Sequence, residues 1–96
     1  MKNVDVEVYL NQLIGFFEKN PNDLIDLIGD LKKETFYEMV REQAYVNFEK
    51  DNEPSLTQQQ LIDIVVFMFD NKVSKKKMMK ITYAVQKTKF GYIWLN

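Results

Sequence analysis

The sequence predicts an all-α fold, a small bundle of four to five helices that ends in an extended apolar C-terminal tail. Three observations carry that prediction. Apolar residues recur at spacings of three and four through most of the chain, the period of an amphipathic helix. Only three Gly and two Pro occur in 96 residues, too few for the turns of a sandwich or barrel. Helix-starting residues also stand just ahead of the apolar stripes, most clearly at residues 56–61. The alternative is an α+β fold in which the last segment forms a C-terminal β-hairpin.

Apolar content of 46% supplies enough surface to offset chain entropy, so a single folded domain over residues 1–96 is expected. Charge divides it. All acidic residues precede Asn71, whereas seven lysines and no acid follow, giving an acidic helical body (1–70) and a basic, aromatic segment (71–96). The net charge is −1 and the pI about 5.4. Without cysteine, neither a disulfide framework nor a thiolate metal site can form, which fits a reducing interior. The opening M-K-N-V-D-V-E-V-Y places acids where a secretory signal needs an apolar core. The longest unbroken apolar run, 64–69, is far short of a membrane span. A cytoplasmic protein without a membrane partner is therefore expected.

The elements follow in order. Val6, Tyr9, Leu10, Leu13, Phe16 and Phe17 predict a first helix over 4–19, with Asn3 or Asp5 as its cap. Gly15 inside it has two readings, a close helix contact or a tolerated glycine costing about 1 kcal/mol relative to Ala. Asn20-Pro21 ends that helix and starts a second, with Asn20 as N-cap, Pro21 at the first helical position and Gly29 at its close. Residues 30–50 predict the longest helix, with Phe36, Met39, Val40, Ala44 and Phe48 as its core stripe. Residues 51–55, D-N-E-P-S, form a loop.

The helix at 57–69 is the most apolar and is expected to be central. Thr57 and Gln60 form a capping box, and Leu56 and Leu61 stand at the spacing of a hydrophobic staple. Phe67 falls on its polar line, four residues after Asp63, and is either an exposed contact for another chain or part of a core wrapping the whole helix. For 75–87 a helix capped by Ser74 separates Met78, Ile81 and Val85 from Lys72, Lys76, Lys80 and Lys87. As a strand, Ile81, Tyr83 and Val85 would alternate and K-T-K would turn into F-G-Y-I-W-L. The cleaner separation of faces favours helix. The apolar tail, with Phe90, Tyr92, Trp94 and Leu95, must then bury itself against its own body or a partner.

Much reactive chemistry is missing. No histidine is present, which removes Ser-His and Cys-His nucleophile activation, imidazole acid–base work and the usual zinc ligand sets. No glycine-rich phosphate loop occurs. Asp51, Glu53 and Ser55 match the first offsets of a calcium loop, but Leu56 and Ile62 stand where it needs Gly and Glu. Glu34, Glu38 and Glu42 share a helix edge and read as solvated surface charges. No catalytic residue, metal or cofactor is expected, and the chain reads as non-enzymatic.

Two clusters remain. Tyr37, Arg41 and Tyr45, at four-residue steps, are either a recognition point built on the one arginine or a surface packing cluster with Glu38. Lys72, Lys76, Lys80, Tyr83 and Lys87, with the aromatics beyond, have the composition of a nucleic-acid surface. The acidic net charge and the lack of arginine in the segment oppose that reading. Charge complementation within the fold or a dimer, or a protein partner, accounts for the same lysines.

The phrases N-P-N-D-L-I-D-L-I-G (20–29), L-T-Q-Q-Q-L-I-D-I-V (56–65) and T-K-F-G-Y-I-W-L-N (88–96) resemble small proteins encoded by marine bacteriophages, including phages of cyanobacteria. The resemblance carries over no site residue. It implies binding to a host component, in the host cytoplasm. The expectation is a protein–protein interaction module, a phage-encoded modulator of a host factor that also self-associates as a homo-oligomer, a dimer, through Phe67 and the tail. Nucleic-acid binding is the alternative.

Overall fold

The computed structural model describes residues 2–30, 33–69, 72–88 and 94–95, with the side chains of 2–4, 94 and 95 outside the description. Five helices account for most of it: α1 (Lys2–Lys19), α2 (Pro21–Ile28), α3 (Lys33–Asp51), α4 (Gln58–Met68) and α5 (Lys75–Lys87). Two short strands, β1 (Leu56–Thr57) and β2 (Trp94–Leu95), pair in parallel, Leu56 opposite Trp94 and Thr57 opposite Leu95. The all-α class holds. The hairpin alternative fails over Lys75–Lys87, where Ser74 Oγ accepts from Lys77 N at 3.1 Å and starts a helix.

Helix α1 lies on α3, α3 on α4, α4 on α5, α5 on α2 and α2 back on α1, so the helices close a ring. Every helix turns its apolar stripe inward. Val6, Leu10, Leu13 and Phe17 of α1 meet Phe36, Val40 and Ala44 of α3, and Phe17 meets the Phe36 ring edge-on at 6.0 Å. Leu61 and Val65 of α4 and Ile81 and Val85 of α5 close the far side. Each fully buried side chain of this size contributes roughly 1.5–3 kcal/mol relative to exposure.

The ring corrects the expectation that residues 57–69 form a central helix. A ring of five helices has no axial position, and α4 buries only the face carrying Leu61, Ile62, Ile64 and Val65. Asp63 and Phe67 point outward. Its start is as expected. Thr57 Oγ1 accepts from Gln60 N at 3.0 Å, Gln60 Oε1 accepts from Thr57 N at 3.1 Å, and Leu56 and Leu61 are both buried.

Other local expectations also change. Asn20 makes no side-chain cap on α2; its Nδ2 donates to Phe16 O at 2.9 Å and so closes α1. Pro21, at the start of α2, needs no donor there. A Cβ on Gly15 would meet no heavy atom within 4 Å, so the glycine mediates no close helix contact. Gly29, at φ +61°, ends α2 in the left-handed region. Asn52 does the same for α3, also at φ +61°, with its N–H donating to Phe48 O at 2.7 Å.

Candidate functional site

A surface groove of about 470 Å³ lies between α2 and α5. The spacing of α5 builds it. Lys76, Lys80, Tyr83 and Lys87 recur at four, three and four residues, so the 3.6-residue period sets them on one stripe. Met79 falls beside that stripe, three after Lys76 and four before Tyr83. All five line the groove, with Ala84 as its small floor residue and Asp26 of α2 on the opposite wall.

Met79 and Tyr83 are 70% and 69% exposed and stand four residues apart on one side of α5, so together they form a short exposed strip. Lys87 Nζ donates to Asp26 Oδ2 at 2.6 Å, across 61 residues of sequence. That hydrogen bond raises the Lys87 pKa above its ordinary 10.5, helped by the charge of Asp26 and, more weakly, by Asp23 and Tyr83, while partial burial opposes the rise. Lys76 and Lys80 have no carboxylate within ion-pair distance among the described residues. Lys77, on another face of α5, stands over the Phe69 ring at 4.6 Å.

Four of the five residues expected on the basic surface therefore share one wall. Lys72 does not. It precedes the Ser74 cap, lies outside the helical stripe and is exposed elsewhere. Asp26 gave no sequence signal, because only the tertiary fold brings it to Lys87. Met79 has helical spacing from Lys76 and Tyr83, but a single apolar residue among lysines carries no distinct sequence signal.

Tyr37, Arg41 and Tyr45 lie along α3 where it meets α1. Tyr45 Oη donates to Glu7 Oε2 at 2.9 Å. Arg41 Nε stands 3.3 Å from the same oxygen without hydrogen-bond alignment, and Arg41 Nη1 donates to Glu38 Oε2 at 3.2 Å. Two side chains of α3 thus converge on one carboxylate of α1. Tyr37 turns toward the core edge, its ring 5.7 Å from that of Phe36. Burial chiefly raises its pKa, with Glu18 and Glu34 adding to the rise. The guanidinium is engaged within the fold, the geometry of a packing cluster. Glu7 of α1 completes the cluster, and only the packing of α1 on α3 brings it there.

Phe67 is 59% exposed on α4 and lines no part of the groove. Phe90 and Tyr92 lie outside the described residues, as do the side chains of Trp94 and Leu95. Among the described residues no group of three or more acidic side chains is placed to hold a metal ion. No helix there is long and apolar enough to cross a membrane. No protein family, curated protein or solved structure matches the chain.

Proposed function

We propose that this chain is a non-enzymatic protein-binding module that presents the α2–α5 groove to a partner. One observation carries the reading: Met79 and Tyr83 stand exposed side by side, flanked by Lys76 and Lys80, which have no ion-pair partner among the described residues. An apolar strip with charged edges is the surface an amphipathic partner covers. The resemblance to phage-encoded proteins makes a host protein the partner to seek, with the chain acting in the host cytoplasm as a modulator of that factor. Self-association as a homo-oligomer is a second part of the proposal; Phe67, exposed outside the groove, is the described residue that would serve it.

The test is affinity capture from host extract with the wild-type chain and with Met79→Asp/Tyr83→Asp as bait, followed by calorimetry on each purified candidate. A protein retained by the wild type, lost by the variant and bound directly supports the reading. Equal retention by both baits would place the binding surface elsewhere.

Nucleic-acid binding is the second reading, favoured by Lys76, Lys80, Lys87 and Tyr83 sharing one wall. Asp26 opposes it, since a carboxylate on the facing wall repels phosphate and engages Lys87. Fluorescence anisotropy with single-stranded oligonucleotides tests it: affinity must fall steeply between about 50 and 200 mM salt.

A further inference from the structure

We infer that the occupant of the α2–α5 groove is an acidic amphipathic helix, and that Asp26 holds the place of one of its carboxylates when the groove is empty. The inference rests on the protein-binding reading and specifies the chemistry of the partner.

The first argument comes from α5 itself. A helix N-terminus carries the positive end of the macrodipole and favours acids in its first turn. Helix α5 instead opens with Lys75, Lys76 and Lys77 and has no acid there. Lys76 and Lys80, four apart, add a like-charge pair on one edge. Local choices that oppose their own element are concentrated where a chain serves function. Carboxylates from a partner would relieve both conflicts at once.

The second argument is the unequal pairing of the groove cations. Lys87 has Asp26 at 2.6 Å, whereas Lys76 and Lys80 face the opening without a carboxylate among the described residues. Asp26 shows which group suits this stripe: a carboxylate held across the groove from α5. The unpaired end asks for the same chemistry from outside.

The third argument is length and shape. Lys76 and Lys87 stand eleven steps apart on α5, about 16 Å of helix at 1.5 Å per residue. That is three turns, enough for a partner helix to set apolar residues at i and i+4 on Met79 and Tyr83 and acids beside them. Methionine suits such a contact because its unbranched side chain adapts to the shape it meets. A nucleic acid would leave Met79 without a matching group and would meet Asp26.

The experiment is an NMR titration of the full chain, following the Met79 and Ala84 methyls and the Tyr83 ring. The probes are four synthetic ligands: a four-turn Leu/Glu amphipathic peptide, its Leu/Lys counterpart, a Ser/Glu peptide without the apolar stripe, and a single-stranded oligonucleotide. The Leu/Glu peptide is expected to shift the groove signals. Lys76→Glu/Lys80→Glu should weaken its binding about tenfold or more, and Asp26→Asn, by freeing Lys87, should tighten it about two- to fivefold. Spectra of the free variants report whether their fold is intact.

Equal or tighter binding of the Leu/Lys peptide in the groove would overturn the acidic assignment and leave the protein-binding reading standing. Groove shifts with the oligonucleotide alone would replace both with the nucleic-acid reading. Concentration-dependent groove shifts without any ligand would make the occupant a second copy of this chain. No groove shift with any probe at millimolar concentration would remove both the docking site and the reading beneath it.

Discussion

Asn47 of α3 and Gln60 of α4 exchange hydrogen bonds through their side-chain amides, Asn47 Nδ2 donating to Gln60 Oε1 at 2.8 Å and Gln60 Nε2 donating back to Asn47 Oδ1 at 3.3 Å. The pair reaches further. Asn47 Nδ2 also donates to Ser55 O at 2.9 Å, and Gln43 Nε2 donates to Asn47 Oδ1 at 3.0 Å. Because Gln60 is the reciprocal member of the α4 capping box, one network ties α3, the connection after it and the start of α4. Asn47 is 6% exposed, so this is a nearly closed polar site in which each lost partner leaves a buried group unsatisfied.

Asn47→Ala is therefore expected to destabilise the fold by about 2–3 kcal/mol, well above the loss of one exposed hydrogen bond. Gln60→Ala should lose about 1 kcal/mol from the cap alone, with a further loss from the amide pair. Since both substitutions break the same pair, the double variant should fall short of their sum by about 1 kcal/mol. Urea denaturation of the four proteins measures this. Strict additivity would mean that the two amides do not act together.

The two glycines should respond to alanine with opposite signs. Gly15 sits inside α1 with room for a methyl group, so Gly15→Ala should stabilise by about 0.5–1 kcal/mol through reduced freedom of the unfolded chain. Gly29 holds φ +61°, where a Cβ costs about 1–2 kcal/mol. Thermal melts should move in opposite directions, by about 4–8 °C per kcal/mol in a domain of this size. A loss of stability in Gly15→Ala would show that the site is tighter than its surroundings indicate.

Alkaline stability should decline for an identifiable reason. The Tyr45 pKa is raised above 10.0, first by its hydrogen bond to Glu7, then by burial and the Glu7 charge, with Arg41 pulling the other way. Tyr37 is raised above 10.0 mainly by burial, and Lys87 above 10.5 mainly by Asp26. A group whose folded pKa exceeds its unfolded value stabilises fully below the unfolded value and loses that contribution as pH rises through the folded one. The urea midpoint should thus hold between about pH 7 and 9 and fall from about pH 10 upward. Tyr45→Phe should lessen that fall, and spectrophotometric titration should show late tyrosinate formation in the wild type. An unchanged alkaline slope in the variant would remove the Tyr45–Glu7 bond from the account.

What was legible in the sequence was local. The Thr57–Gln60 box, the Ser74 cap and the Gly29 stop each depend on residues within one turn, so their chemistry is complete in the string of letters. Asn20 shows the limit even there, because one amide between two helices can serve either, and it closes α1. The apolar count at 61–69 could not reveal on which sides its neighbours stand, and the ring geometry leaves Phe67 outside. Spacing alone set Lys76, Lys80, Tyr83 and Lys87 on one stripe. Their facing carboxylate, Asp26, and the Glu7 that joins Arg41 to Tyr45 are set by tertiary packing, which no local pattern encodes.

Phe67 provides the test of self-association. It is 59% exposed on α4, between the half-buried Val66 and Met68, while the opposite face of the helix lies in the core. A substitution there removes surface and not packing, so Phe67→Ser should change folding stability by no more than about 0.5 kcal/mol. Its effect should appear in association, because an aromatic ring excluded from water at an interface contributes out of proportion to its number. Sedimentation velocity over a hundredfold concentration range should show the wild type shifting from monomer toward a larger species, and Phe67→Ser shifting at higher concentration or not at all. A groove variant, Tyr83→Ser, should behave as the wild type does, because Phe67 lies away from the α2–α5 groove. Should the wild type remain monomeric throughout, Phe67 would be a solitary exposed ring with no part in assembly; should Tyr83→Ser alone abolish association, the interface would belong to the groove.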